Sequence, residues 1–171
     1  MKPKRIHIVG IYGTGKSTLA KKIGKILGNK IYDLDEIKYK RKYDKSRTVK
    51  ERLKIIKEIS NKKTWITEGT WLDYALPLYK KADLIIFLEI PKRTIYKRIL
   101  TRYIKRRLSK KRYLKDNLKT TKKIMKKVKQ YHSNQSFLTL KKHRDYLKKY
   151  AKKVIIIKTE KDIKKVLKKL K

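Results

Sequence analysis

The chain contains no cysteine, three histidines, three prolines, six glycines and only 14 acidic residues among 171. Without cysteine there is no disulfide, no thiolate metal site and no cysteine nucleophile. His7, His132 and His143 show no ligand spacing, so a transition metal is not expected and each histidine reads as an ordinary core-edge or surface residue. No run of about 18 apolar residues exists, so no segment reads as a membrane span. The opening residues MKPKR lead straight into a short strand-like run instead of a signal-peptide core, which points to the cytoplasm. Neither an internal repeat nor a Gly/Ser/Pro linker interrupts the sequence, and 171 residues suit one domain spanning 1–171.

What the chain has in excess is lysine. Of 54 basic residues 43 are lysine and 11 arginine, and the formal charge is +40. Such a charge would attract nucleic acid, anionic membrane surface or polyanionic small molecules at low salt. An AT-rich genome or a hot habitat produces the same lysine bias, so the positions of the rarer residues, glycine, arginine and the acids, are more informative. Hydrophobic residues reach 39% and recur periodically, so the chain reads as folded despite its charge.

Hydrophobic periods alternate along the chain. Residues 4–9 read as a strand entering Gly10, and 16–27 as a helix closed by Gly28 in a left-handed cap. A second short strand covers 30–34. From about 46 to 60, Val49, Leu53, Ile56 and Ile59 form the stripe of an amphipathic helix. Residues 64–68 form a strand stopped by Gly69. The five consecutive apolar residues inside 83–89 fit a parallel strand covered on both faces. Pro91 suits the first turn of a helix reaching about Leu108. Residues 109–150 read as two helical pieces broken near 133–136. Residues 154–157 are a last buried strand, and Thr159 caps a closing helix with Ile163, Val166, Leu167 and Leu170 on one side. The pattern predicts an α/β fold, a parallel sheet with helices on both faces joined by right-handed crossovers.

Between the first strand and first helix lies GIYGTGKS, residues 10–17, which fits G-x4-G-K-[ST] in its required context. Accidental matches at this composition number about 0.005 over the whole chain, and three of the six glycines fall here. Glycines let backbone N–H groups wrap phosphates, and the helix N-terminus adds attraction for anions. Gly10, Tyr12, Gly13, Thr14, Gly15, Lys16, Ser17 and Thr18 are therefore the candidate ATP-binding set. Lys16 would neutralise the β and γ oxygens and Ser17 would ligate Mg2+.

The scarce acids gather at predicted strand ends: Asp33, Asp35 and Glu36, then Glu68, then Glu89. Carboxyl ends of parallel strands line the ligand crevice, where acids hold Mg2+ through water or orient a substrate hydroxyl. The competing reading is that they cap helices or pair with lysines. Asp35, then Asp33, are the candidates for the acceptor side, and Glu68, beside Gly69, for magnesium or substrate. Six of the 11 arginines fall within residues 93–112, namely Arg93, Arg98, Arg102, Arg106, Arg107 and Arg112, where an even spread would give about 1.3. Arg98, Arg102 and Arg106 lie four apart and share one helix face, a geometry suited to a phosphoryl group in transit. A solvated face and a nucleic-acid ridge with Tyr96, Tyr103 and Tyr113 interleaved are the alternatives.

Together the GKST loop, the segment YDLDE at 32–36, WITEG at 65–69, ADLIIFL at 82–88 followed by Pro91, and the arginine-bearing helix resemble the adenylate-kinase-like P-loop kinases. Among these the chain looks most like the short DNA topology modulation proteins, or adenylate-kinase-related kinases. The resemblance implies a three-layer P-loop NTPase fold whose five-stranded sheet has the order 2-3-1-4-5, with a short helical lid at about 98–135. It implies Arg98, Arg102 and Arg106 near that lid, adenine between a lid arginine and the turn at 158–160, and Asp35 and Gly69 on the acceptor side. Two departures stand out. The long lid and arginine-rich acceptor pocket of standard adenylate kinases have no match here, since Arg41, Arg47 and Arg52 stand in no assignable arrangement, which argues against AMP as acceptor; and no standard Walker B carboxylate follows an apolar run unless Glu68 or Glu89 serves. The expected activity is ATP- and Mg2+-dependent transfer of the γ-phosphoryl group to a nucleotide or other small acceptor. In that reading Lys16, Asp35, Arg98, Arg102 and Arg106 are catalytic, Asp33, Asp35, Glu68 and Gly69 meet the substrate, and Ser17 and Glu68 hold the metal. A nucleic-acid-associated NTPase or DNA/RNA-binding regulator is the alternative from a different class.

Overall fold

The computed structural model describes residues 2–40, 46–72, 74–108 and 118–171. Arg41, Arg112 and Tyr113, singled out above, lie outside the described residues, as does the 109–117 part of the expected lid. Five parallel strands form one sheet in the order β2-β3-β1-β4-β5: β1 Arg5–Val9, β2 Ile31–Asp33, β3 Trp65–Gly69, β4 Leu84–Leu88 and β5 Val154–Ile157. Eight helices among the described residues surround it: α1 Lys16–Leu27, α2 Leu34–Ile37, α3 Val49–Ser60, α4 Leu76–Lys81, α5 Lys92–Arg107, α6 Leu118–His132, α7 Leu140–Lys148 and α8 Glu160–Leu170. This is the expected P-loop kinase fold. No helix among the described residues is long and apolar enough to cross a membrane.

The strands are apolar throughout because both faces of the sheet are covered. Ile6, Ile8, Ile66, Ile86 and Leu88 pack with α1, α5, α6 and α8, in a cluster that includes Leu19, Ile23, Ile95, Ile99, Val128 and Val166. Val9, Trp65, Ile85 and Phe87 face the opposite way, toward Ile56, Ile59, Leu78, Tyr79 and Leu147 of α3, α4 and α7. Capping residues set the helix starts. Thr48 forms a reciprocal capping box with Glu51, Thr159 does so with Asp162, and Thr139 caps α7. Helix α1 ends at Gly28, whose φ of 70° is the left-handed conformation that glycine adopts without cost.

Several expectations are corrected. Pro91 is the N-cap of α5, one residue before its first turn. In α3 only the C-terminal half reaches the core, since Ile56 and Ile59 are buried while Val49 and Leu53 are exposed. Strand β5 is an edge strand with Ile156 half exposed, so it is not a fully buried one. The short helices α2 and α4 had no counterpart in the periodic pattern. Helix α6, placed within the lid, is anchored in the core by Val128 and Tyr131, and Tyr96 donates its hydroxyl to the Met125 carbonyl at 3.4 Å.

Two of the three histidines, expected at the core edge or surface, lie deeper than that. His7 and His143 are fully buried. His7 Nδ1 lies 2.9 Å from Thr67 Oγ1, and His143 Nδ1 lies 2.9 Å from the Tyr131 hydroxyl. Burial lowers the pKa of His7 to about 3 and of His143 to about 4. A histidine depressed in the folded state takes up protons on unfolding, so the stability it confers is complete above the unfolded value near 6.5 and is lost as pH falls toward the folded value. We expect urea midpoints to drop between pH 6.5 and 4, and His143→Gln, which cannot titrate, to flatten that slope. The contribution from His143 is on the order of 3 kcal/mol. An unchanged slope in the variant would show that His143 does not drive the acid loss.

Candidate functional site

Strand β1 is where the sheet order reverses, with β3 on one side and β4 on the other, and such a switch point opens a crevice beyond the strand C-termini. Residues 10–17 leave β1 into that crevice. Gly13 and Gly15 have φ of 77° and 97°, which a side chain would strain, and a Cβ on Gly13 would also approach Ile95 and Ile99 of α5 to 3.0 Å. Gly15 is the N-cap of α1 and offers no side-chain cap, so the first-turn N–H groups of this 12-residue helix face the crevice without a capping side chain. Thr14 donates its hydroxyl to the Ile11 carbonyl at 2.8 Å, so that hydroxyl shapes the loop.

Lys16 is buried, its Nζ donating to the Ile11 carbonyl at 3.3 Å. Burial pulls its pKa below the ordinary lysine value, while the charges of Glu68, Asp35 and Asp33 work the other way. The β2–β3 register sets Asp33 directly beside Glu68. Glu68 is buried, and Ser17 donates its hydroxyl to Glu68 Oε1. Burial raises the Glu68 pKa, opposed by the Ser17 hydrogen bond and the Lys16 charge. Asp33 is raised by burial too, while its side chain caps α2 by accepting from the Asp35 N–H at 2.8 Å. The capping interpretation of that acid is therefore correct, although Asp33 also lines the crevice.

One cleft of about 2030 Å³ holds most of the predicted set: Tyr12 to Thr18 of the loop, Asp33, Asp35, Glu68, Arg98, Arg102 and Arg106. Gly10 and Gly69 do not line it. A Cβ on Gly69 would come within 2.8 Å of Leu34 Cβ, so that glycine serves the packing of α2 on β3. Glu89 is also absent from the cleft wall: Arg144 of α7 grips it through two hydrogen bonds of 2.8 and 2.7 Å. Of the arginine series, Arg98 donates to the Thr14 carbonyl at 2.7 Å and to Glu160 at 3.2 Å, clasping the loop to the start of α8. Arg93 and Arg107 do not line the cleft. Beside α5 a second depression of about 870 Å³ is bordered by Pro91, Thr94, Arg98, Arg102, Lys158 and Glu160.

Sequence reasoning missed a cluster on the β2 side. Trp71 donates its indole N–H to Asp35 Oδ1 at 3.3 Å, and the Arg52 guanidinium sits over the rings of Trp71 and Tyr74 at 5.6 and 5.2 Å. Arg52 Nε is fixed to the Arg47 carbonyl at 2.9 Å. No sequence spacing links Arg52 to Trp71, but one of only two tryptophans, two residues beyond a strand-end glycine, was a usable signal.

The donor set fits magnesium bound to a triphosphate. It offers hard oxygens, the Ser17 hydroxyl and the Glu68 carboxylate, beside further carboxylates at Asp33 and Asp35. Among the described residues no group of three or more acidic or histidine side chains could hold a metal by itself.

Comparison with known proteins supports the fold. No protein-family profile matches the chain. It is 35% identical over 89 residues to the uncharacterized protein YqaC of Bacillus subtilis, a match spanning 52% of this chain and half the length of that relative. Among solved structures, shikimate kinase from Acinetobacter baumannii in complex with shikimate aligns with a TM-score of 0.58 at 16% identity, covering 98% of this chain and 90% of that one. Shikimate kinase from Aquifex aeolicus aligns at 0.53 and 20% identity, over 97% and 92%. A gluconokinase from Sinorhizobium meliloti aligns at 0.55 and 12% identity, over 98% and 89%. At identities this low the structural likeness establishes a shared fold and nothing finer.

Proposed function

We propose that this protein is an ATP-dependent phosphotransferase that moves the γ-phosphoryl group to a hydroxyl of a small acceptor. The observation that carries the proposal is the buried Lys16 ammonium at an uncapped helix N-terminus, beside a serine hydroxyl already paired with a strand-end carboxylate. A buried cation and converging N–H groups are costly to maintain unless an anion completes them.

Each residue then has a distinct task. The loop N–H groups and Lys16 bind and orient the phosphates, and Ser17 and Glu68 would hold magnesium. The metal, when bound, supplies charge that offsets the phosphate oxygens. Asp35 keeps Oδ2 without a hydrogen-bond partner among the described residues, so it can orient the acceptor hydroxyl and take its proton. The acceptor oxygen forms a bond to phosphorus as the bond from phosphorus to the β-γ bridging oxygen breaks, and ADP leaves. Arg102 and Arg106, on the helix face opposite the loop, offset charge in transit, and Arg98 holds the loop in register. The depression between α5 and the 158–160 turn would take the adenine, as the resemblance to adenylate-kinase-like enzymes implies. Membership in the DNA topology modulation subgroup is part of the same proposal.

The test is ADP release with MgATP across nucleoside monophosphates, shikimate, gluconate, sugars and small alcohols, with products identified by mass spectrometry. Transfer to at least one acceptor is expected. ADP release that no acceptor stimulates, with inorganic phosphate as the sole product, would replace this reading with an NTPase. Stimulation by DNA or RNA at about 150 mM salt, where most nonspecific contacts are weakened, would favour the nucleic-acid alternative.

A further inference from the structure

Five aromatic side chains, Tyr12, Tyr39, Trp71, Tyr74 and Phe137, line the main cleft. Each carries a cation over its ring. Lys127 stands 5.4 Å from Tyr12, Lys38 stands 5.5 Å from Tyr39, and Lys142 stands 4.9 Å from Phe137, while Arg52 covers both Trp71 and Tyr74. Sites that read a nucleobase present aromatic faces for the base to stack on. Here one face of each ring already holds positive charge, so the cleft offers an acceptor anion contacts beside every ring.

Arg52 stands apart from the lysines because it is immobilised. Its Nε is committed to the Arg47 carbonyl, its guanidinium lies over two rings, and it forms no ion pair with a carboxylate among the described residues. A half-buried guanidinium so held presents its terminal N–H groups as a two-point receptor for a carboxylate or phosphate. Trp71 ties this receptor to the chemistry: its face lies under Arg52 and its indole N–H holds Asp35. Anion receptor and hydroxyl-directing carboxylate are thus fixed to one indole ring. An occupant that meets both must carry an anionic group and a hydroxyl a few bonds apart.

Building on the phosphotransfer reading, we propose that the acceptor is a small aliphatic hydroxy compound bearing a carboxylate or phosphate group, bound by Arg52, and that nucleotides are poor acceptors. Arg52 is on this account a specificity-determining residue.

The experiment uses the full chain with four probe sets: glycerate and quinate as carboxylates, glycerol 3-phosphate and glucose 6-phosphate as phosphate esters, AMP and CMP as nucleotides, and glycerol and inositol as neutral polyols. ADP release and tryptophan emission are followed for wild type, Arg52→Met and Arg52→Lys, and MgATP binding is measured separately by calorimetry. Trp65 is fully buried, so ligand-dependent emission reports Trp71. The expected result is turnover with a carboxylate or phosphate ester exceeding that with nucleotides and neutral polyols, and the first two sets distinguish the two anion types. Arg52→Met should raise the acceptor KM roughly 10- to 100-fold, the loss of one charge-assisted receptor, with MgATP binding unchanged. Arg52→Lys should recover only part, because an ammonium keeps the charge and loses the fork. Preference for nucleotides or neutral polyols, an unchanged KM in Arg52→Met, or silence of both anionic sets in turnover and emission while MgATP binds would each overturn the inference. Absence of MgATP binding would overturn the underlying phosphotransfer reading, and calorimetry separates that failure from the others.

Discussion

Lys16→Ala is expected to lower kcat about a thousand-fold, the upper range for deleting one charge-stabilising donor from a preorganised site, while leaving the fold intact. Lys16 is buried within a cleft wall and its ammonium is held below the ordinary lysine range by burial. Its removal relieves a desolvation cost, and the space left opens to water instead of forming a closed cavity. The far-ultraviolet spectrum and melting midpoint should therefore match wild type, and turnover should not. Lys16→Arg should stay close to the alanine variant although it keeps the charge. A guanidinium is too large for the position Nζ occupies, 3.3 Å from the Ile11 carbonyl inside a loop shaped by two left-handed glycines. Near-normal turnover in Lys16→Ala would mean that the donor site is elsewhere in the molecule.

How much of this was legible in the sequence depends on whether the signal was local. The turn at 10–17 between β1 and α1 was legible as a candidate site, because the pattern it fits requires particular residues at particular spacings within eight positions. The strands were legible because parallel strands covered on both faces become continuous apolar runs, as LIIFL in β4 shows. The four-residue spacing of Arg98, Arg102 and Arg106 was enough to place all three on one wall of the cleft. The sheet order came from resemblance and not from residue pattern, since nothing local tells a strand which neighbour it will join. Helices α2 and α4, four and six residues long, are too short to show a period. The Arg52, Trp71, Tyr74 and Asp35 cluster was illegible for the opposite reason: its members come from separate elements and meet only when α3 and the turn after β3 converge. His7 and His143 illustrate the same limit. A lone polar residue in an apolar segment reads as an edge position, and only the fold supplies the hydroxyls of Thr67 and Tyr131 that let each ring be buried neutral.

Glu68→Gln should move stability and activity in opposite directions, and the sign follows from the carboxylate's surroundings. Burial raises the Glu68 pKa above its ordinary value of 4.5, so between the two values the folded state binds more protons than the unfolded chain. Stability therefore falls as pH rises through that window, and at neutral pH the ionised carboxylate imposes its full cost on the fold. Glutamine removes the charge and can still accept the Ser17 hydroxyl. The variant should melt higher at pH 7 by a few degrees, about 2–4 °C for each kcal/mol in a domain of this size, with the advantage vanishing below pH 4.5. Activity at limiting magnesium should fall at least about 10- to 100-fold through weakened magnesium binding, the range for a metal site's outer-shell partners and so a lower bound for a ligand. Glu68 is also the leading attractive charge on Lys16, so its loss lets the ammonium pKa fall further and should draw the alkaline limit of turnover to lower pH. A variant with unaltered magnesium dependence would show that Glu68 has no part in metal binding, even if its melting point rose as expected. Stabilisation combined with weakened magnesium binding is the pairing expected of a carboxylate kept in a costly place because the bound metal requires it there.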